Sequence, residues 1–136
     1  MEPTHRWIEH TAELQLELHA RSEAAIFRQA VLALHELLEE DEGAPTGERV
    51  ERQVEAEATD RGALLAEWLA ELVFLAETEG LVPDEARDLV VGEDSVTAVV
   101  VGRTSEPRHL VKAVTYHNLE LHRDRDGWRG NVVLDV

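Results

Sequence analysis

Two short segments of the 136-residue sequence carry carboxylates that could bind a cation. Residues 10–13 read His-Thr-Ala-Glu, so Glu13 lies just before the first regular alternation of apolar and polar residues. Near the other end, Asp135 follows an apolar run, and the main-chain carboxylate of Val136 lies one residue further on. Carboxylates this close repel each other unless a cation or an Arg lies between them. Oxygen ligands of this kind favour calcium or magnesium.

Each of these carboxylates also has a simpler explanation. In a chain with 29 acidic residues, Glu13 taken alone is more simply a solvated surface side chain. Asp135 is close to a chain end, and chain ends are usually solvated. The apolar Val136 argues against that explanation, because its side chain favours burial. The two acids therefore predict a metal site only if the fold brings them together.

A third segment, residues 111–119, gathers a cation, a phenol, an imidazole and an amide. It reads Val-Lys-Ala-Val-Thr-Tyr-His-Asn-Leu, and the polar groups belong to Lys112, Tyr116, His117 and Asn118. They could orient a ligand, or they could be edge residues of a half-buried strand. Phosphate-binding glycine loops, nucleophile elbows and zinc motifs are absent from the sequence. With no cysteine, the chain also lacks thiolate sites and disulfides.

The charge of the chain limits its partners. Thirteen basic and 29 acidic residues give a net charge of −16, which disfavours direct, stable binding of nucleic acid. A basic protein or a divalent cation is favoured instead, although acidity can also serve solubility alone. No apolar run approaches the roughly 20 residues that cross a bilayer, and the first residues lack a signal-peptide stretch. We therefore expect a cytoplasmic protein with no membrane partner and leave its oligomeric state open.

The hydrophobic pattern predicts one α+β domain over residues 1–136. Leu14, Leu16 and Leu18 alternate with polar residues and predict a strand, preceded by a loose lead that contains His5. Two amphipathic helices follow caps at Ser22 and Asp60. Further strands are predicted at residues 50–56, 86–91, 96–101, 111–123 and 128–136, with an interruption near His117 and loops at residues 44–47 and 102–107. The expected architecture has two layers, with both helices on one side of a mixed, mostly antiparallel sheet.

The three segments together resemble the archease family. Residues 112–117, Lys-Ala-Val-Thr-Tyr-His, are the most specific match, and residues 64–72, Leu-Leu-Ala-Glu-Trp-Leu-Ala-Glu-Leu, resemble the second-helix signature of the family. The likeness extends over nearly the whole chain. It implies a small domain of the strand-helix-strand-strand type with an inserted helical segment. It also implies a non-catalytic cofactor that activates the GTP-dependent, RtcB-type RNA ligase of tRNA splicing and RNA repair by promoting guanylylation of the ligase.

The resemblance also implies a metal site. The metal-binding acids of the family map onto Glu13 and Asp135, with the carboxylate of Val136 as a third contributor. Calcium is the expected cation, with magnesium or manganese as alternatives. Glu13 stands where the family usually has Asp, a change that keeps the charge and adds one methylene group. Asn118 stands where Asp is common, so an oxygen is retained there but a charge is lost.

Four further residues are predicted to support the site or to contact the ligase: His10, Lys112, Tyr116 and His117. A second function remains open, since the net charge of −16 also suits a chaperone-like or modulatory module that acts through its acidic surface without metal.

Overall fold

The computed structural model describes residues 2–42, 46–105 and 111–136. Its described elements are, in chain order, β1 (Thr4–His10), β2 (Glu13–Ala20), α1 (Glu23–Glu42), β3 (Arg49–Glu57), α2 (Arg61–Glu79), β4 (Leu81–Val91), β5 (Ser95–Thr104), β6 (Ala113–Asp124) and β7 (Gly127–Asp135).

The described strands form two antiparallel sheets, and the predicted α+β class is confirmed. Sheet A has the order β1-β2-β7-β6, and sheet B has the order β3-β5-β4. The expected arrangement of one sheet with both helices on one side is not observed. Helix α1 packs against β4 of sheet B and β2 of sheet A, and α2 packs against β6 of sheet A and β3 of sheet B. Each helix is thus covered by strands of both sheets.

Both helices begin at the predicted caps. The Ser22 hydroxyl accepts a hydrogen bond from the Ala25 amide at 3.1 Å, and the Asp60 carboxylate accepts one from the Ala63 amide at 2.9 Å. These bonds satisfy amides that have no partner within the first helical turn. Helix α2 ends at Gly80, whose φ of 67° suits glycine. Among the described residues, no helix combines the length and the apolar character that a bilayer crossing needs.

The core joins both helices to both sheets. Trp68 of α2 and Phe27 of α1 meet edge to face, with ring centroids 6.2 Å apart. The Trp68 indole donates a hydrogen bond to the Phe27 carbonyl at 3.1 Å, which satisfies a polar group in an apolar surrounding. Leu16 and Leu134 of sheet A and Val100 of sheet B are fully buried in the same cluster. This shared core fixes the position of sheet A, which carries the candidate site.

The prediction of a loose lead before the first strand is wrong, because residues 4–10 form β1 and pair with β2. Trp7 is half-buried on the inward face and donates a hydrogen bond to the Ala33 carbonyl of α1 at 3.3 Å. His5 is also bound, with its Nε2 2.9 Å from the Glu36 carboxylate. The sequence of β1 does not show a clear alternation of apolar and polar residues, because the polar residues His5 and Glu9 lie on the same inward face as Trp7. Tertiary pairing therefore makes a strand of a segment with a weak local signal.

Sheet B also extends beyond the predicted bounds. β4 begins at Leu81 and not at residue 86, and β5 continues to Thr104, inside a predicted loop. The pairing of β4 with β5 shifts between Pro83 and Glu85 and again further along, which breaks the alternation on which the prediction relied. The predicted loops at residues 44–47 and 102–107 lie in part outside the described residues.

The predicted interruption of β6 is present as a bulge. Thr115 lies opposite Val133 of β7, and the next paired residue, Glu120, lies opposite Asn131. Residues 116–119, here called the β6 bulge, therefore face one residue of β7. Within it Asn118 has a φ of 53°, a left-handed conformation that asparagine tolerates better than most residues. Bulges of this kind redirect side chains and often lie near functional sites.

Candidate metal centre

The β1–β2 turn, the end of β7 and the start of β6 meet at one end of sheet A. Glu13 lies directly opposite Asp135 in the register of β2 and β7. Directly opposed residues point to the same face, with Cβ atoms roughly 5 Å apart. Both residues are half-buried, and within the described part of the chain neither carboxylate has a hydrogen-bond or ion-pair partner. Such a pair is unfavourable by itself and favourable with a cation between its members.

Val136 is fastened to the same end of the sheet. Its amide donates a hydrogen bond at 3.1 Å to the carbonyl of Ala12 in the β1–β2 turn. Glu13, Asp135 and Val136 are here called the carboxylate rim. Lys112 also lies there, because its amide donates to the Asp135 carbonyl at 2.7 Å while its side chain is exposed. The main chain of three separate segments thus holds the rim in place.

The backbone of the turn that carries Glu13 is strained. Ala12 has a φ of 60°, in the left-handed region that costs an L-residue roughly 1–2 kcal/mol. Its carbonyl is the acceptor for the Val136 amide, so the strained conformation helps to fasten the rim. Strain of this kind persists where the surrounding structure holds the residue in place, and it is common at functional sites.

The oxygen atoms of the rim are of the kind that hard divalent cations prefer. Two carboxylate side chains supply oxygen ligands, whereas calcium takes 6–8 oxygens, so main-chain oxygens and water would supply the others. In the described part of the chain, no group of three or more His, Cys, Asp or Glu side chains is placed to hold a metal ion.

His10 lies beside the rim but does not point into it. It is directly opposite Glu13 in the register of β1 and β2. Its Nε2 lies 3.0 Å from the Oε1 of Gln15, one pleat further along the open face of sheet A. The side chain of Gln15 in the neighbouring strand therefore orients the His10 ring.

Tyr116 and His117 belong to the β6 bulge and lie away from the rim. The Tyr116 hydroxyl donates a hydrogen bond to the Glu67 carboxylate of α2 at 2.6 Å. That hydrogen bond raises the pKa of Tyr116, and desolvation and the negative charges of Glu67 and Asp60 add to the rise. The His117 ring is exposed, and the His117 amide donates to the Thr115 hydroxyl at 3.3 Å. These residues form an accessible surface beside α2.

Sequence reasoning missed three residues that organise this region. Glu67 holds Tyr116, and Gln15 and Asn131 join neighbouring strands through a 2.6 Å hydrogen bond between their amides. Gln15 and Asn131 occupy outward positions of their strands, where a polar residue is expected in any case. Only their register across sheet A distinguishes them, and register depends on pairing between distant segments.

The two helices and two antiparallel sheets define a class of small α+β domain, and solved structures of other proteins share this fold. The solution structure of Methanobacterium thermoautotrophicum protein 1598 matches with a TM-score of 0.73 and 24% identity over 97% of this chain and 98% of that chain. A Thermotoga maritima crystal structure, described as an archease and possible chaperone, matches with a TM-score of 0.55 and 24% identity over 95% of this chain and 94% of that chain. These similarities concern the fold.

Sequence comparison gives the family. The model of the Archease protein family (MTH1598/TM1083) matches residues 5–136. The protein archease of Methanosarcina acetivorans is 33% identical over 142 residues, which cover 97% of this chain and 95% of that protein. The chain belongs to the archease family.

Proposed function

We propose that this protein is a non-catalytic activator of a GTP-dependent, RtcB-type RNA ligase and that it promotes guanylylation of the ligase. Membership of the archease family supports this partner. The net charge of −16 supports docking on a basic protein surface, because opposite fields steer association. The same charge favours contact with the ligase over contact with its RNA substrate.

The carboxylate rim is the proposed working part of the protein. The observation that carries this proposal is the direct opposition of Glu13 and Asp135, two half-buried carboxylates without partners in the described residues. They would hold a divalent cation, calcium first and magnesium or manganese as alternatives, with the carboxylate of Val136 as a third ligand. A bound cation would supply positive charge where nucleotide transfer develops negative charge. Glu13 and Asp135 would hold it, and the strained turn at Ala12 would present Glu13 to the partner.

The proposed contact with the ligase extends from the rim to the exposed residues nearby. Lys112 lies at the rim and has an exposed side chain. Tyr116 and His117 form the accessible surface of the β6 bulge, with Tyr116 56% exposed. Their phenol and imidazole groups can exchange hydrogen bonds with a partner. His10 supports the rim from β1.

Loss of either rim carboxylate should strongly reduce activation. We expect Glu13→Gln and Asp135→Asn to reduce stimulation of ligase guanylylation by at least about tenfold, because each removes a charged ligand and keeps the shape of the side chain. The measurement is the rate of nucleotide transfer to the ligase, with and without the protein. Glu17→Gln is the control, since Glu17 lies on the same strand and face but pairs with Arg6. Full stimulation by both rim variants would overturn the proposal.

A second candidate is a chaperone-like or modulatory module without metal. The description of the Thermotoga maritima structure as a possible chaperone favours it. Such a module would act through its acidic surface, so the rim variants would keep their effect on the ligase. Added salt would weaken that effect, because exposed charges are screened.

A further inference from the structure

A continuous chain of side-chain hydrogen bonds crosses the open face of sheet A. The His10 Nε2 of β1 lies 3.0 Å from the Oε1 of Gln15 in β2. The Gln15 amide nitrogen donates to the Asn131 Oδ1 of β7 at 2.6 Å, and the Asn131 amide nitrogen donates to the Asn118 carbonyl of β6 at 2.8 Å. These residues are here called the cross-sheet chain. They link the four strands of sheet A in their spatial order.

All bonds of the cross-sheet chain run in one direction. The Oε1 of Gln15 can only accept, so the Nε2 of His10 must carry the proton. Gln15 and Asn131 then each accept a hydrogen bond on the oxygen and donate one from the nitrogen. Amides linked in this way polarise one another, so that each bond is stronger when its neighbours are present. A change at His10 is therefore expected to alter the last bond, at Asn118.

The middle bond of the cross-sheet chain is shielded from water: the bond from Gln15 to Asn131 is partly buried, whereas the bonds at His10 and Asn118 are exposed. Gln15 and Asn131 are half-buried, although they lie on the face of sheet A that no helix covers. Val133 lies opposite Gln15 on the same face and is only 3% exposed. Hydrogen bonds are stronger where the local dielectric constant is low.

The two ends of the cross-sheet chain lie at different functional surfaces. His10 is directly opposite Glu13 of the rim. Asn118 is the left-handed residue of the β6 bulge, and its carbonyl is oriented by Asn131. The bulge is also held from the side of α2 by the hydrogen bond from Tyr116 to Glu67. The cross-sheet chain thus runs from the residue of β1 that is paired with Glu13 of the rim to the bulge.

We propose that Gln15 and Asn131 are positioning residues that couple the carboxylate rim to the β6 bulge. A cation at the rim and a protein partner at the bulge then influence each other through the cross-sheet chain. The coupling itself follows from the hydrogen bonds and needs no cation. Its role in ligase activation rests on the proposed function.

The coupling is tested by changing one end of the cross-sheet chain and observing the other in the full chain without metal. β1 and β6 are separated by three strand spacings, roughly 14 Å, too far for a direct effect of a side chain. His10→Ala should shift the backbone amide resonances of residues 116–119 in ¹H–¹⁵N spectra. His10→Gln should restore them, because its amide can donate to Gln15. Arg6→Ala is the control, since Arg6 shares the strand and face of His10 but binds Glu17.

A double change separates transmission from local disturbance. In an Asn131→Leu background, His10→Ala should leave the bulge resonances where Asn131→Leu alone puts them. If Asn131→Leu does not fold, Asn131→Asp serves, because it keeps the acceptor for Gln15 and loses the donor to Asn118. Bulge resonances that do not respond to His10→Ala, that respond equally to Arg6→Ala, or that still respond in the Asn131 variant would overturn the coupling.

The metal readout keeps this proposal apart from the proposed function. Calcium titrated into the wild-type protein should shift the bulge resonances as well as the rim resonances, and Asn131→Asp should remove the shift at the bulge only. Calcium binding that never reaches the bulge contradicts the coupling alone. If calcium does not bind and His10→Ala still moves the bulge, the coupling stands and the metal part of the proposed function fails.

Discussion

Ala12 is the residue at which the main chain of the rim is strained. Its φ of 60° favours glycine, and Ala12→Gly should therefore stabilise the fold by up to about 1 kcal/mol, the relief of strain less the extra entropy of glycine in the unfolded chain. Urea denaturation measures the change in the free energy of unfolding. Ala113→Gly is the control, because Ala113 lies in β6 without a positive φ and should destabilise the fold. Equal destabilisation by both changes would show that Ala12 is not strained.

Tyr116 offers a direct measure of its bond to Glu67, because it is the only tyrosine of the chain. The neutral phenol donates that bond, so the folded pKa lies above the ordinary value of 10.0. The stabilisation is complete below that ordinary value and is lost as the pH rises through the raised pKa. Ultraviolet absorbance of the phenolate should titrate above pH 10.0, and Glu67→Ala should lower the midpoint. Glu71→Ala, an exposed change one turn along α2, should leave the midpoint unchanged.

At the scale of elements, the start of α2 depends on one side chain. Asp60 accepts a hydrogen bond from the Ala63 amide, and loss of such a cap costs about 1 kcal/mol. Asp60→Ala should lower the free energy of unfolding by that amount, whereas Asp60→Asn keeps an acceptor oxygen and should cost less. Chemical denaturation of the three proteins measures both values. Equal losses for Ala and Asn would indicate that the charge of Asp60 and not its hydrogen bond stabilises the helix.

The elements also show what sequence patterns determine and what they do not. Ser22 and Asp60 were predictable as caps because capping is a local hydrogen bond between residues close in sequence. β1 was missed because its inward face carries Trp7 between polar residues, and only pairing with β2 makes it a strand. The division into two sheets was also missed, because it depends on which strands pair over long distances in sequence. Local signals therefore located helix starts well and strand partners poorly.

Local sequence patterns also predict the candidate site poorly. Glu13 and Asp135 were selected as a pair through a resemblance to a family, because their separation in sequence has no periodicity that joins them. Their opposition follows from the register of β2 and β7, which the alternating leucines and valines of both strands determine together. Gln15 and Asn131 gave no signal, since each is an ordinary outward residue until the register places them in bonding distance. Only the folded sheet therefore distinguishes Gln15 and Asn131 from other outward residues.

At the scale of the whole molecule, the net charge of −16 and a specific cation site make different predictions for stability. Any salt screens repulsion among the acidic residues and raises the melting temperature. A cation bound by the folded state alone adds a stabilisation that follows mass action, about 2.7 kcal/mol at about a hundredfold excess over the dissociation constant. Calcium should therefore raise the melting temperature further than sodium chloride at the same ionic strength.

The rim variants separate the two effects. Glu13→Gln and Asp135→Asn should each remove the calcium-specific part of the rise and keep the response to sodium chloride, because one charge among 29 acidic residues changes overall repulsion little. Glu17→Gln removes the same charge away from the rim and should keep the calcium response. Melting curves in matched salts measure each effect. If the wild-type protein responds to calcium only as it does to ionic strength, the rim holds no calcium, and salt acts only by screening the acidic residues.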